Sequence, residues 1–107
     1  MSVLDNLLKL VDTPRDGALL RFGIANELMH QERWDEAVPQ LRRALEMQRD
    51  YSAAWKLLGK ALVAAGRDDE ALAAYHEGIA VAEAKGDVQA AKEMRVFARR
   101  IDKARGG

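Results

Sequence analysis

Arg33-Trp34-Asp35-Glu36-Ala37-Val38 and Arg67-Asp68-Asp69-Glu70-Ala71-Leu72 are two copies of one segment, set 34 residues apart. Carried upstream, the same offset lays Ile24 on Leu58, Ala25 on Gly59, Leu28 on Leu62 and Met29 on Val63. Carried downstream, it lays Leu41 on Tyr75, Ala44 on Gly78 and Leu45 on Ile79. Small residues fall on small ones and large apolar residues on large apolar ones. A fixed stride of this length, spanning two helical apolar periods, marks a unit that buries its apolar face by stacking on its neighbour.

The composition agrees with helices. Of 107 residues, 49% are hydrophobic, enough for a core, and most of that share is alanine and leucine. Aromatics are confined to Phe22, Trp34, Tyr51, Trp55, Tyr75 and Phe97. β-branched residues are sparse, which argues against a sheet. Apolar periodicity, Gly66, Gly86 and the two prolines divide the chain into helices expected at about 3–11, 14–31, 35–48, 52–65, 69–85 and 87–104. Pro14 reads as a first-turn proline behind a Thr13 cap, and Pro39 falls early in the third helix. Short connections make successive helices antiparallel. The expected organisation is one domain over 1–107, with an N-terminal apolar helix (1–12), units at 18–51 and 52–85, and a capping helix at 87–104.

Trp55-x2-Leu58-Gly59-x2-Leu62, followed by Ala71-x3-Tyr75, resembles the tetratricopeptide repeat pattern. The first copy, Ile24-Ala25-x2-Leu28 then Ala37-x3-Leu41-x2-Ala44, resembles it with Arg21 in the tryptophan place. Both copies lack the closing proline, with Arg49 and Glu83 there instead, so the helix ending near residue 85 should run long. The resemblance covers about residues 18–85 and implies an all-α solenoid of antiparallel helix pairs.

Close approach within each pair needs side chains that take little room: Ala25, Ala37 and Ala44 in one unit, Gly59, Ala71 and Gly78 in the other. Helix-interior glycines cost about 1 kcal/mol each, and close packing is the reason to keep them. Two units bury too little alone, so both ends need covers. Ala90, Met94, Phe97, Ile101 and Ala104 form one apolar stripe suited to a capping helix, with its charged residues on a solvated outer face. The apolar Val3–Val11 segment either folds back on its own chain or packs on a second copy.

Catalytic equipment is thin, and no enzymatic role is expected. Ser2, Thr13 and Ser52, the only hydroxyls besides the tyrosines, read as helix caps. His30 and His76 occupy non-equivalent places without further ligands at metal-binding spacing, and no phosphate-binding glycine loop is present. No cofactor or metal is expected. Seventeen basic and seventeen acidic residues cancel, which removes any long-range pull toward nucleic acid or anionic membrane. The basic run from Lys92 to Arg105 could track phosphates, but a solvated helix face explains it more simply, so nucleic acid is not an expected partner. Without a secretory leader or a membrane-length apolar run, a cytoplasmic location is expected.

The resemblance implies an inner groove lined by the first helix of each unit, holding a peptide or partner helix. Its positions here are Leu19, Phe22, Asn26, Met29 and His30, then Ala53, Lys56, Lys60, Val63 and Ala64, then Ala90, Met94 and Phe97. An apolar segment with an acidic group near Lys56 and Lys60 would suit it. Asn26 matches the two-carboxylate clamp of chaperone-binding relatives, but Phe22, Asp87 and Ala91 depart from it, which disfavours a chaperone terminus. The expected function is therefore protein–protein interaction with an unidentified protein or peptide. The alternatives are a self-associating homodimer and a groove filled by the terminal helices.

Overall fold

The computed structural model describes residues 2–106, and among them every regular element is helical. The helices are α1 (Val3–Leu8), α2 (Ala18–His30), α3 (Trp34–Met47), α4 (Ser52–Ala64), α5 (Asp68–Lys85) and α6 (Val88–Ala104). They pack as pairs, α2 on α3 and α4 on α5, with α3 joining the pairs to each other through α4. The body measures 44 × 29 × 18 Å.

The repeated Arg-x-x-Glu explains why α3 and α5 start where they do. Arg33 precedes α3 and grips Glu36 with two nitrogens at 2.7 and 2.8 Å. Arg67 does the same to Glu70 at 2.6 and 3.0 Å, and reaches back to Asp35 at 3.2 Å. The helices before them end alike: the Arg33 amide donates to the Leu28 carbonyl, and the Arg67 amide to that of Leu62. Just before each arginine the backbone turns left-handed, at Glu32 (φ 57) and at Gly66 (φ 76). A side chain in that region costs about 1 kcal/mol or more. Gly66→Glu is therefore expected to lose about 1 kcal/mol, while Glu32→Gly gains up to about 1 kcal/mol, in urea titrations followed by circular dichroism. Equal signs for the two changes would contradict the equivalence of these turns.

The small residues sit where the stride put them. Ala25, Ala37, Ala44 and Ala71 are wholly buried. A Cβ added at Gly59 would lie 2.2 Å from the Tyr75 ring, and one at Gly78 would lie 2.6 Å from Met94 Sδ and 2.7 Å from Trp55 Cβ. Arg49, in the closing-proline place, accepts a 2.8 Å hydrogen bond at its carbonyl from Trp55 Nε1, lies over the indole ring, and pairs with Glu77.

The N-terminal segment differs from expectation. Helix α1 stops at Leu8, and Pro14 lies in the linker, outside the first turn of α2. Asp12 is left-handed, and the Thr13 hydroxyl donates to the Leu10 carbonyl while accepting from the Arg15 amide, so Thr13 shapes a turn rather than capping a helix. Ser52 is not a cap either. It is the first residue of α4, and its buried hydroxyl has no partner among the described residues. Ser2 is a cap, in a reciprocal box with Asp5.

Arg21 explains the linker's path. It makes two bonds to Asp16, at 3.0 and 2.8 Å, and a third to Gln40 of α3 at 3.2 Å, filling the place of the indole in the second unit. The hydrogen bond from Arg21, then that from the Asp12 amide, hold the Asp16 carboxyl well below the usual carboxylate range. A folded-state pKa below the unfolded one adds stability that is complete above the unfolded value of about 4 and is lost as pH falls toward the folded one. Melting temperature is therefore expected to drop on acidification below about pH 4, and less steeply in Asp16→Asn. Parallel pH profiles for the two proteins would refute this.

Both ends are covered from within the chain. Leu4 is buried and Leu7 lies over Gly23, setting α1 beside α2. At the other end α5 has 18 residues against 14 in α3, the long helix expected from the missing proline. The lengthening breaks the stride, since α6 begins 20 residues after α5 begins, where α4 begins 18 after α3. Its buried face is consequently Ala90, Ala91, Met94, Ala98 and Ile101, while Ala104 is exposed.

Candidate functional site

The first helices of the pairs, α2 and α4, touch each other, and α4 touches α6, whereas the backbones of α3 and α5 stay apart and long side chains such as Arg42 and Glu70, 3.5 Å apart, bridge them. Closer spacing on one side makes that side concave. The floor of the hollow is α2, α4 and α6.

The expected groove residues divide into three groups. Leu19, His30, Ala53, Lys60, Val63 and Ala64 are exposed, with Leu19 at 75% and Val63 at 40%. Phe22, Asn26, Met29, Lys56 and Phe97 are half-buried, and Phe22 stacks on Tyr51 with centroids 5.1 Å apart. Ala90 and Met94 are buried, as the apolar stripe of a capping helix implies, so they belong to the core and not to the groove that the resemblance implied. Lys56 is also committed, bonding Glu93 of α6 at 2.8 Å, while Glu93 accepts from Gln89 at 3.2 Å. These two bonds, Lys56 first, hold the Glu93 carboxyl below its ordinary pKa.

Between α4, α5 and α6 lies a depression of about 300 Å³, lined by Lys60, Val63, Ala64, Tyr75, Phe97, Arg100 and Ile101. Its walls are apolar. Tyr75, 2% exposed, crosses Gly59 and meets Phe97 with ring centroids 5.8 Å apart. Burial pushes its phenol up to about 12, keeping it a proton donor. Arg100 lies over the Phe97 ring at 5.6 Å. Sequence reasoning set Tyr75 wholly in the core and Arg100 on the outer face. The signal for Arg100 was its place three residues after Phe97, which puts both on one side of α6.

The rest of the basic run is divided among other tasks. Arg95 pairs with Glu83 at 2.6 Å, Arg105 with Asp69 at 2.7 Å, and Arg99 donates to the Arg95 carbonyl. His30 and His76 stand exposed on α2 and α5. Among the described residues, no helix is long and apolar enough to cross a membrane.

The tetratricopeptide repeat pattern, as a family, matches residues 22–88, the stretch from the middle of α2 to the start of α6. The chain belongs to the tetratricopeptide repeat family. It is 43% identical over 103 residues to the TPR repeat-containing protein PA0015 of Pseudomonas aeruginosa, covering 96% of this chain and 98% of that one. The solution structure of protein BPP2914 from Bordetella parapertussis superposes with a TM-score of 0.85 at 36% identity, covering 97% of this chain and 90% of that one. A tetratricopeptide repeat domain protein from Salinibacter ruber shares the fold, with a TM-score of 0.76 at 24% identity over 86% of this chain and 92% of that one. Tetratricopeptide repeat proteins are in general non-catalytic scaffolds for protein partners.

Proposed function

We propose that this protein is a non-enzymatic scaffold that holds a peptide or partner helix against the concave face of α2, α4 and α6. The observation that carries this reading is the run of uncommitted side chains there. Leu19, Val63 and Ala64 expose apolar surface, and Asn26 and Lys60 make no hydrogen bond or ion pair among the described residues. Neither terminal helix fills the hollow: α1 packs on α2 alone among the helices, and α6 forms one of its sides. We place the chain in the cytoplasm, the compartment in which partners are to be sought. Affinity capture tests the reading with Asn26→Arg plus Ala53→Glu on the concave face and Arg43→Glu on α3 as control. Bound protein should vanish with the first pair and persist with the control; the reverse pattern would sink the groove.

Self-association is a second reading, favoured by the exposure of Val3 (59%) and Leu8 (44%) on α1 and of Leu19 on α2. Sedimentation of the intact chain should then show a dimer that a chain lacking residues 1–12 does not form. A monomer in both cases removes this alternative.

A further inference from the structure

We infer that the depression between α4 and α6 is the anchoring point of the groove, and that it takes one large apolar side chain flanked by carboxylates. This rests on the scaffold reading and specifies its ligand. A hollow of about 300 Å³ has room for a single bulky side chain. Its walls, Val63, Phe97 and Ile101, supply the apolar contact. The rim supplies charge: neither Lys60 nor Arg100 has an acidic partner among the described residues, while nearby Lys56 and Arg95 are both paired. The Tyr75 hydroxyl is the third element. Its side chain is 2% exposed and lines the hollow, yet the hydroxyl makes no hydrogen bond among the described residues. Ser52 Oγ is the one fully buried side-chain N or O atom without a partner among the described residues, so the Tyr75 oxygen meets solvent, where an arriving carboxylate would accept from it. Two cations and one unused donor around an apolar floor fit an acidic–apolar–acidic peptide and repel a basic one. The acid that sequence reasoning placed near Lys56 and Lys60 falls between Lys60 and Arg100, because Glu93 already occupies Lys56.

The test uses the full chain, isotopically labelled, titrated with the blocked pentapeptide Gly-Glu-Phe-Glu-Gly to several millimolar. Backbone amides of residues 60–64 and 97–101 are expected to shift, with a Kd on the order of 1 mM, as befits one anchored side chain. Gly-Lys-Phe-Lys-Gly and Gly-Glu-Ala-Glu-Gly should leave them unmoved. Lys60→Glu with Arg100→Glu, both exposed, should keep the melting temperature and weaken the first peptide at least about tenfold. Tyr75→Phe removes only the hydroxyl and should weaken it about threefold to tenfold. No shifts, or shifts indifferent to the peptide's charge, overturn the inference. Shifts confined to Phe22, Asn26 and Met29 also overturn it while leaving the concave scaffold standing, whereas loss of groove-dependent capture removes the scaffold itself.

Discussion

Trp55→Ala is expected to cost about 3–5 kcal/mol, lowering the melting temperature by more than about 10 °C. The indole is 8% exposed and lies where Gly78 of α5 lets the two helices come together. Truncation opens a cavity at that crossing, and a site walled by helix backbone closes poorly around it. It also strips the Arg49 carbonyl of its 2.8 Å donor and the guanidinium of its ring, loosening the connection from α3 to α4. Thermal and urea denaturation followed at 222 nm would measure the loss. A cost below about 1 kcal/mol would mean that the second helix pair does not depend on this crossing.

Overfilling the same pair is expected to act in the same direction. Gly59→Ala sets a methyl group against the Tyr75 ring, and the ring is hemmed in by Phe97. Alanine gains about 1 kcal/mol of helix propensity over glycine, so the steric conflict must exceed that gain. A net loss of about 1–3 kcal/mol is expected for Gly59→Ala, and a similar or larger one for Ala71→Leu at a wholly buried site. The decisive comparison is a double-mutant cycle with Tyr75→Leu. Once the ring is gone, Gly59→Ala should become neutral or favourable, a coupling of at least about 1 kcal/mol. Additive effects would show that the glycine is kept for some reason other than the ring.

The helix pairs were legible because their information is local and repeated. A close crossing demands a small residue at a fixed place, and two copies let Ala25 and Gly59, or Ala44 and Gly78, vouch for each other. The linker before α2 was not legible, since Pro14 and Thr13 obey ordinary helix-start rules, and only the bidentate Asp16–Arg21 contact sets another path. The groove was half legible. Lys60, Val63 and Phe97 were named from the family resemblance, but that pattern assumes equal helices, and past the longer α5 Met94 faces inward. The Lys56–Glu93 bond joins residues 37 apart on different helices, a pairing that no local pattern encodes. Tyr75 was hidden by its own burial: a large residue in a core position gives no hint that its polar tip is unspent.

Packing that runs through α4 makes this molecule a circuit wired largely in series. Before α4 no helix packs its backbone against α5 or α6, and α1 reaches nothing beyond α2; surface ion pairs such as Arg42–Glu70 at 3.5 Å and Arg67–Asp35 at 3.2 Å span that gap. A disturbance carried through the packed core from one terminus to the other therefore passes through α4, with surface ion pairs as the shunts around it. Whatever settles on α4 sits on the main conductor, and would be felt at both ends of the chain at once.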